Sequence, residues 1–485
     1  MSIDPDPPAA PRDPDAQLTR KQRRHFLTAA GLGLSAAGLG SAAVYRWMQR
    51  TIEIHGGKQV ISSVSPRKGK QLILVFLNGG LSHVDTFDPK PKLRDYQDRP
   101  ASEVLTATEI TEPVRMLESP FKTWQRGEAG IWVSELFPNL ANIADELCVL
   151  RAMQTPAHSH NQAVLMMHNG SERVPLPSIG SWVSYGLGTS NPDLPPYIIF
   201  AGDEPYGGSQ VWDSNFLPRA NQGVRIYPGR HPIDNLVYST PSLSLHDLER
   251  QLLHDANELY AAARPGDHNI QARQKSFETA RGLMRVAPEV FDAGDETQET
   301  LDLYGIRGDD HQSLAWQCLM ARRLVERGVR TVELVNGGTS LYSNWDAHND
   351  IMSHQPKAQA LDRPLAALIK DLKRRSLLND TVLAICTEFG RTPWFNDMQT
   401  KTGRNHWTHA FTCLLVGSGV RSGYVHGKTD EFGCYAVENP MDVHDLHATI
   451  LHLLGIDHRH LTYRYAGRDF RLTDIGGRIP REILA

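Results

Sequence analysis

The order of apolar and polar stretches along this chain predicts strands separated by helices. Gln71 to Leu77 is a continuous apolar run stopped by Asn78-Gly79-Gly80, the pattern of a strand buried on both faces and ended by a tight loop. Phe137-Pro138-Asn139 opens a helical pattern through Leu147, and Cys148 to Leu150 begins the next short strand. Ser313 to Arg327 has helical spacing, Val329 to Val335 reads as a strand, and Gln359 to Leu378 as a long amphipathic helix. Thr381 to Cys386 and Phe411 to Val416 are two further apolar or β-branched runs, and Asp442 to Leu454 closes with a helix ended by Gly455. Pro and Gly between 192 and 232 predict an irregular insertion over about 182–260. Strands alternating with helices imply one large α/β domain over 70–485, a mainly parallel sheet covered by helices on both faces.

Ahead of that domain the pattern changes. Residues 1–18 are rich in Pro, Asp and Ala and predict disorder. Arg23-Arg24 then precedes an uncharged run of Ala, Gly and Leu from Leu27 to Val44, with small residues at Ser41-Ala42-Ala43. Paired arginines before a weakly apolar stretch resemble a twin-arginine export signal. The expectation is a leader and signal over 1–43, a linker over 44–69, and a periplasmic or extracellular protein. Membrane attachment is expected only through an uncleaved signal.

Composition narrows the class. With 485 residues, 51 Lys plus Arg and 55 Asp plus Glu, the net charge is −4, and there is no basic block. That balance argues against nucleic acid as a partner. The five Cys include no CxxC pair, so neither a disulfide framework nor a cysteine zinc site is encoded. Ten of the 21 His follow Asp346, which draws the search for chemistry to the last third of the chain.

In parallel α/β sheets, ligands bind beyond the carboxyl ends of the strands. Polar chemistry gathers there at five successive strand ends. Asn78, His83 and Asp85 follow the first; His158, Ser159 and His160 the second; Asp346, His348, Asp350 and His354 the third; Glu388 and Arg391 the fourth. His406 and His409 precede the fifth. Carboxylates and neutral imidazoles suit a borderline divalent cation. Each group also has a plainer role open to it. His83 and Asp85 can bond loop backbone, Glu388 can pair with Arg391, and His444 and His447 on the last helix can be surface or capping residues.

The order of these segments resembles the alkaline phosphatase-like superfamily, in the Pro138-Asn-Leu140 helix, the strand Asp380 to Glu388, His406, and the closing helix Asp445 to Gly455. More closely, Asp85-Thr-Phe-Asp-Pro-Lys-Pro91, Trp345-Asp-Ala-His348, Glu388-Phe-Gly-Arg-Thr-Pro393, His406-Trp-Thr-His-Ala-Phe411 and Tyr465-Ala-Gly-Arg-Asp-Phe470 are similar to an exported bacterial family. It is known as domain of unknown function (DUF) 1501, and its members are often labelled sulfatases. The likeness runs from about 70 to 475. It implies an alkaline phosphatase-like fold and one metal site filled by Asp346, His348 and His406, with Asp350 and His354 as the second choice of Asp-His pair. The superfamily's second metal position falls on Asn78, Glu388 and Phe389, which keep one carboxylate, so one divalent ion (zinc, manganese or calcium) is expected. The nucleophile slot falls on His160 or Ser159, and the sulfatase Cys-x-Pro-x-Arg signature is absent.

Together these imply a metal-dependent hydrolase or transferase acting on a phosphate or sulfate ester. An anionic ester, a sulfated or phosphorylated glycan among them, is the expected substrate. His160 would be the nucleophile, Glu388 a ligand or base, and Arg391 the group that steadies an anionic oxygen. The alternative is a catalytically degenerate binding or assembly partner that keeps the fold, with a protein as its ligand.

Overall fold

The computed structural model describes residues 53–54, 57–58, 69–104, 113–230, 232–233, 243–264, 268–340, 343–395 and 401–485. The expected export signal and most of the linker lie outside them. Among the described residues, no helix is long and apolar enough to cross a membrane.

A nine-stranded sheet organises the rest. Its members are β1 (Gln71–Leu77), β2 (Cys148–Gln154), β3 (Tyr197–Phe200), β4 (Val224–Ile226), β5 (Thr331–Asn336) and β6 (Thr381–Cys386). After a separate hairpin of β7 (Gly390–Phe395) and β8 (Arg404–Trp407), β9 (Phe411–Gly417), β10 (Tyr424–His426) and β11 (Met441–Asp442) complete it. The spatial order is β10-β2-β9-β6-β1-β5-β3-β4, with β11 also on β2. Only β9 runs antiparallel to its neighbours. β1 lies between β6 and β5, with Phe76 opposite both Cys386 and Val335. The three strands therefore end level, and the loops after them open at one edge.

All seven residues of β1 are buried, which explains the unbroken apolarity of Leu72 to Leu77. Alternate side chains serve opposite faces. Ile73, Val75 and Leu77 pack with α5 (Leu314–Glu326) and α6 (His354–Arg374), through Leu319, Leu324, Leu365 and Leu368. Leu72, Leu74 and Phe76 meet α1 (His160–Asn169), α2 (Ile179–Leu187) and α7 (Val443–Leu453). Helices α3 (Leu243–Ala262) and α4 (His268–Val290) lie between β4 and α5 in the chain. All five cysteines are buried free thiols, four in this core and Cys434 in a separate cluster with Val84, Trp394 and Trp407.

Within the insertion expected over about 182–260 lie the end of α2, the strands β3 and β4 and most of α3, with irregular chain between α2, β3 and β4. Tyr-Ile-Ile-Phe of β3 is a fully buried strand of four residues, too short to stand out between prolines. The helix expected at 359–378 starts at His354 and ends at Arg374, because the Asp350 side chain accepts from Met352 N and turns the chain in early. At its other end Ser376 takes a left-handed φ of 61°. Between Phe137 and Leu147 there is only a turn of helix at Pro138–Ala141 and a 3-10 turn at Ala144–Glu146.

Candidate metal centre

Four side chains from three distant segments converge over the level strand ends. The ligand atoms of His160, Asp346, His348 and His406 all lie within 4.8 Å of one another, enough to hold a metal ion. His348 Nε2 stands 2.8 Å from His406 Nε2. Asp346 reaches both sides, Oδ1 lying 3.5 Å from His348 Nε2 and Oδ2 3.4 Å from His160 Nε2.

The surrounding contacts aim these groups. His160 opens α1, and its Nδ1 donates to Glu388 Oε1 at 2.7 Å, an oxygen that also accepts from Gly79 N at 2.8 Å. That leaves His160 Nε2 buried and facing inward toward Asp346 Oδ2. His406 Nδ1 donates to the His158 carbonyl at 3.0 Å, so its Nε2 carries the lone pair. Burial, then the positive charge of Arg391, His160 and His348, push the His406 pKa down to about 2 and keep this ring neutral. Three inward ring nitrogens, the outer nitrogens of His160 and His406 tied to a carboxylate and a carbonyl, and one carboxylate between them fit the donor set of a zinc-like ion.

Asp346 is held by its loop. Asn344 Oδ1 accepts from Asp346 N at 2.9 Å, and Trp345 N donates to Asn78 O at 2.8 Å. Gly79 makes the close passage possible: at φ +114° a Cβ there would stand 2.5 Å from Asp346 N. Arg391 Nη2 donates to Asp346 Oδ1 at 2.8 Å. Burial favours the neutral carboxyl, but contact with His160 and the charges of Arg391, His348 and His160 outweigh it and hold Asp346 ionised.

Several expected roles move. Arg391 is fully buried and gives its other donors to the Gly79, Gly80 and Arg404 carbonyls, so it braces Asp346 and has no fork left for an anionic oxygen. Asn78 struts the loops around the cluster: its Nδ2 donates to Gly338 O at 2.7 Å and its Oδ1 accepts from Tyr206 N at 3.2 Å. Glu388 faces His160 and Gly79 N, and is absent from the four-residue cluster. The Phe389 ring packs against His406 and His160, at 4.4 and 4.9 Å between centroids, and fills the place expected to hold a second ion's ligand.

Other candidates lie apart. Asp85 forks with Arg404 at 2.7 and 3.0 Å, both fully buried, and His83 Nε2 bonds Gly433 O. His354 Nε2 accepts from Ser82 N at 3.1 Å, the Asp350 side chain accepts from Met352 N, and neither residue is in the four-residue cluster. His444 and His447 bond the Gly170 and Met167 carbonyls at the far end of α1. His409 packs on Trp407, while Ser159 Oγ turns to Gln162. Two neighbours of the cluster had no sequence signal. Tyr206 stacks on His160 at 4.2 Å. Lys357 comes from α6 within electrostatic reach of Asp346, its Nζ buried and without a hydrogen-bond partner among the described residues.

A large α/β domain with a mainly parallel sheet and a His-Asp cluster at its strand ends is the class that fold and site define. Within it, the chain belongs to the family described as protein of unknown function (DUF1501), whose model matches residues 69–484. A search of curated proteins found no match. Among solved structures, the lipoteichoic acid synthase LtaP from Listeria monocytogenes is similar at 10% identity and TM-score 0.35, over 84% of this chain and 75% of that one. Alkaline phosphatase from the Antarctic bacterium TAB5 is similar at 8% identity and TM-score 0.33, over 80% and 99%. The PsFucS1 sulfatase from Pseudoalteromonas sp. is similar at 12% identity and TM-score 0.33, over 80% and 68%. Likeness at this level carries no argument about activity.

Proposed function

We propose that this chain is an exported, metal-dependent hydrolase or transferase of a phosphate or sulfate ester, working with one divalent ion. The observation that carries the reading is the inward-facing donor set of His160, Asp346, His348 and His406. In this reading His160 is a ligand, not the nucleophile, and Glu388 fixes its tautomer by accepting from Nδ1. A divalent ion held there would supply Lewis acidity toward an oxygen of the ester. Arg391 keeps Asp346 ionised, and the His158 carbonyl keeps His406 Nε2 free of a proton. Tyr206 and Phe389 shield two sides of His160 from water. Lys357 lies within electrostatic reach of Asp346, where burial pushes its pKa down and the Asp346 charge opposes that shift.

Metal analysis of protein purified without chelator tests this. One equivalent of a transition metal, lost in His406→Ala and His160→Ala, supports the centre and justifies a screen of phosphate and sulfate esters. The second reading, a binding partner without chemistry, draws on Phe389 in place of a second ligand. A stably folded, metal-free protein would favour it.

A further inference from the structure

Helix α3 offers an apolar arc to water. Leu248, Leu252, Leu253, Leu259 and Tyr260 are all exposed, Leu259 by 74%. At 100° per residue these five fall on one arc of α3 together with Ala256. The other side of the helix carries polar residues, where Gln274 Nε2 of α4 donates to Glu258 Oε1 at 2.9 Å. A contiguous apolar arc of this kind, offered to water by an amphipathic helix, calls for a partner.

We propose that this face is a homodimer interface, α3 of one copy packed against α3 of a second by a two-fold axis. At roughly 100 Å² for each half-exposed side chain, the five offer about 500–600 Å². That is the upper end of the largest apolar patch on ordinary monomers and close to the ~600 Å² per partner at which specific interfaces begin. Leu248, Leu252 and Leu259 follow the four- and seven-residue steps of a helix seam, so a second identical helix presents the matching ridge. A lipid surface fits less well. The helix carries Asp247, Glu249, Asp255 and Glu258 against Arg250 alone, and anionic headgroups would repel it. The face lies outside the His-Asp cluster, and the proposal stands whether or not that centre binds metal.

Light scattering on the full chain during gel filtration tests it, with Leu252→Glu/Leu259→Glu alongside. The expected result is a mass near twice 54.1 kDa for the wild type and near 54.1 kDa for the double variant. The far-UV circular dichroism should be unchanged, because both leucines are exposed. A wild type that stays monomeric up to ~0.1 mM, well above the dissociation constants of specific dimers, overturns the proposal. So does a dimer that survives both substitutions. Flotation of the monomer with vesicles of phosphatidylcholine and phosphatidylglycerol would overturn it too, and assign the face to lipid.

Discussion

Asp346 touches His160 and His348 on one side and is pinned by Arg391 on the other, so its position depends on a residue that never reaches the centre. Arg391→Lys removes the planar fork and keeps the charge. The expected outcome is a metal affinity weaker by about 10–100-fold, the range for loss of a residue that orients a ligand. Competition against a chelator of known affinity reads it, and an unchanged affinity would reduce Arg391 to packing. Asp85 and Arg404 make the opposite case, a buried pair remote from the cluster. Asp85→Asn strands the Arg404 guanidinium, which should cost about 3–5 kcal/mol of unfolding free energy. Urea denaturation measures the loss; a cost under about 1 kcal/mol would mean that water replaces the carboxylate.

At the scale of elements, the loop after β1 and the loop after β5 pass at a glycine. Gly79→Ala places a Cβ against Asp346 N and Trp345 N in a backbone conformation that alanine adopts at a cost. Expected are a lower melting temperature and a loss of bound metal together; loss of stability with full metal content would separate the loop from the site. The contact between α7 and α1 sets a pH dependence. His447 is buried, and burial foremost pushes its pKa down to about 3. Between about 6.5 and 3 the unfolded chain therefore binds the proton that the folded chain refuses, and stability falls as pH drops, by up to about 1.4 kcal/mol per unit. His447→Gln should flatten the slope of urea stability between pH 6.5 and 5. The elements legible in the sequence were those with a single strong pattern. β1, β6 and β9 are unbroken apolar runs, and five polar clusters were readable because each follows or precedes such a run. β3 has four residues, and the hairpin pairs a buried strand at 390–395 with a partly exposed one at 404–407, neither uniformly apolar, so neither element announces itself. Which of the clusters met could not be read, because that depends on which nitrogen each ring turns inward. Asp85 and Asp346 look alike as loop carboxylates, and only the fold puts Arg404 across from one and three imidazoles around the other.

For the whole molecule, the proposed ion would tie together residues 160, 346–348 and 406, segments that share no local contact in the unfolded chain. Binding to the folded state alone raises stability by about 2.7 kcal/mol when free metal exceeds its dissociation constant a hundredfold. Chelation should therefore lower the melting temperature of the wild type, and leave that of His406→Ala where it was. If both fall equally, the chelator acts elsewhere. The five sequestered cysteines supply an independent gauge. Burial pushes the Cys148 thiol up to about 12 and raises Cys318 and Cys434 as well. Alkylating reagents attack thiolates that solvent can reach. In the native protein each modification must wait for its own stretch of chain to open, so the kinetics of labelling, resolved residue by residue, would chart which layers come apart first and how often.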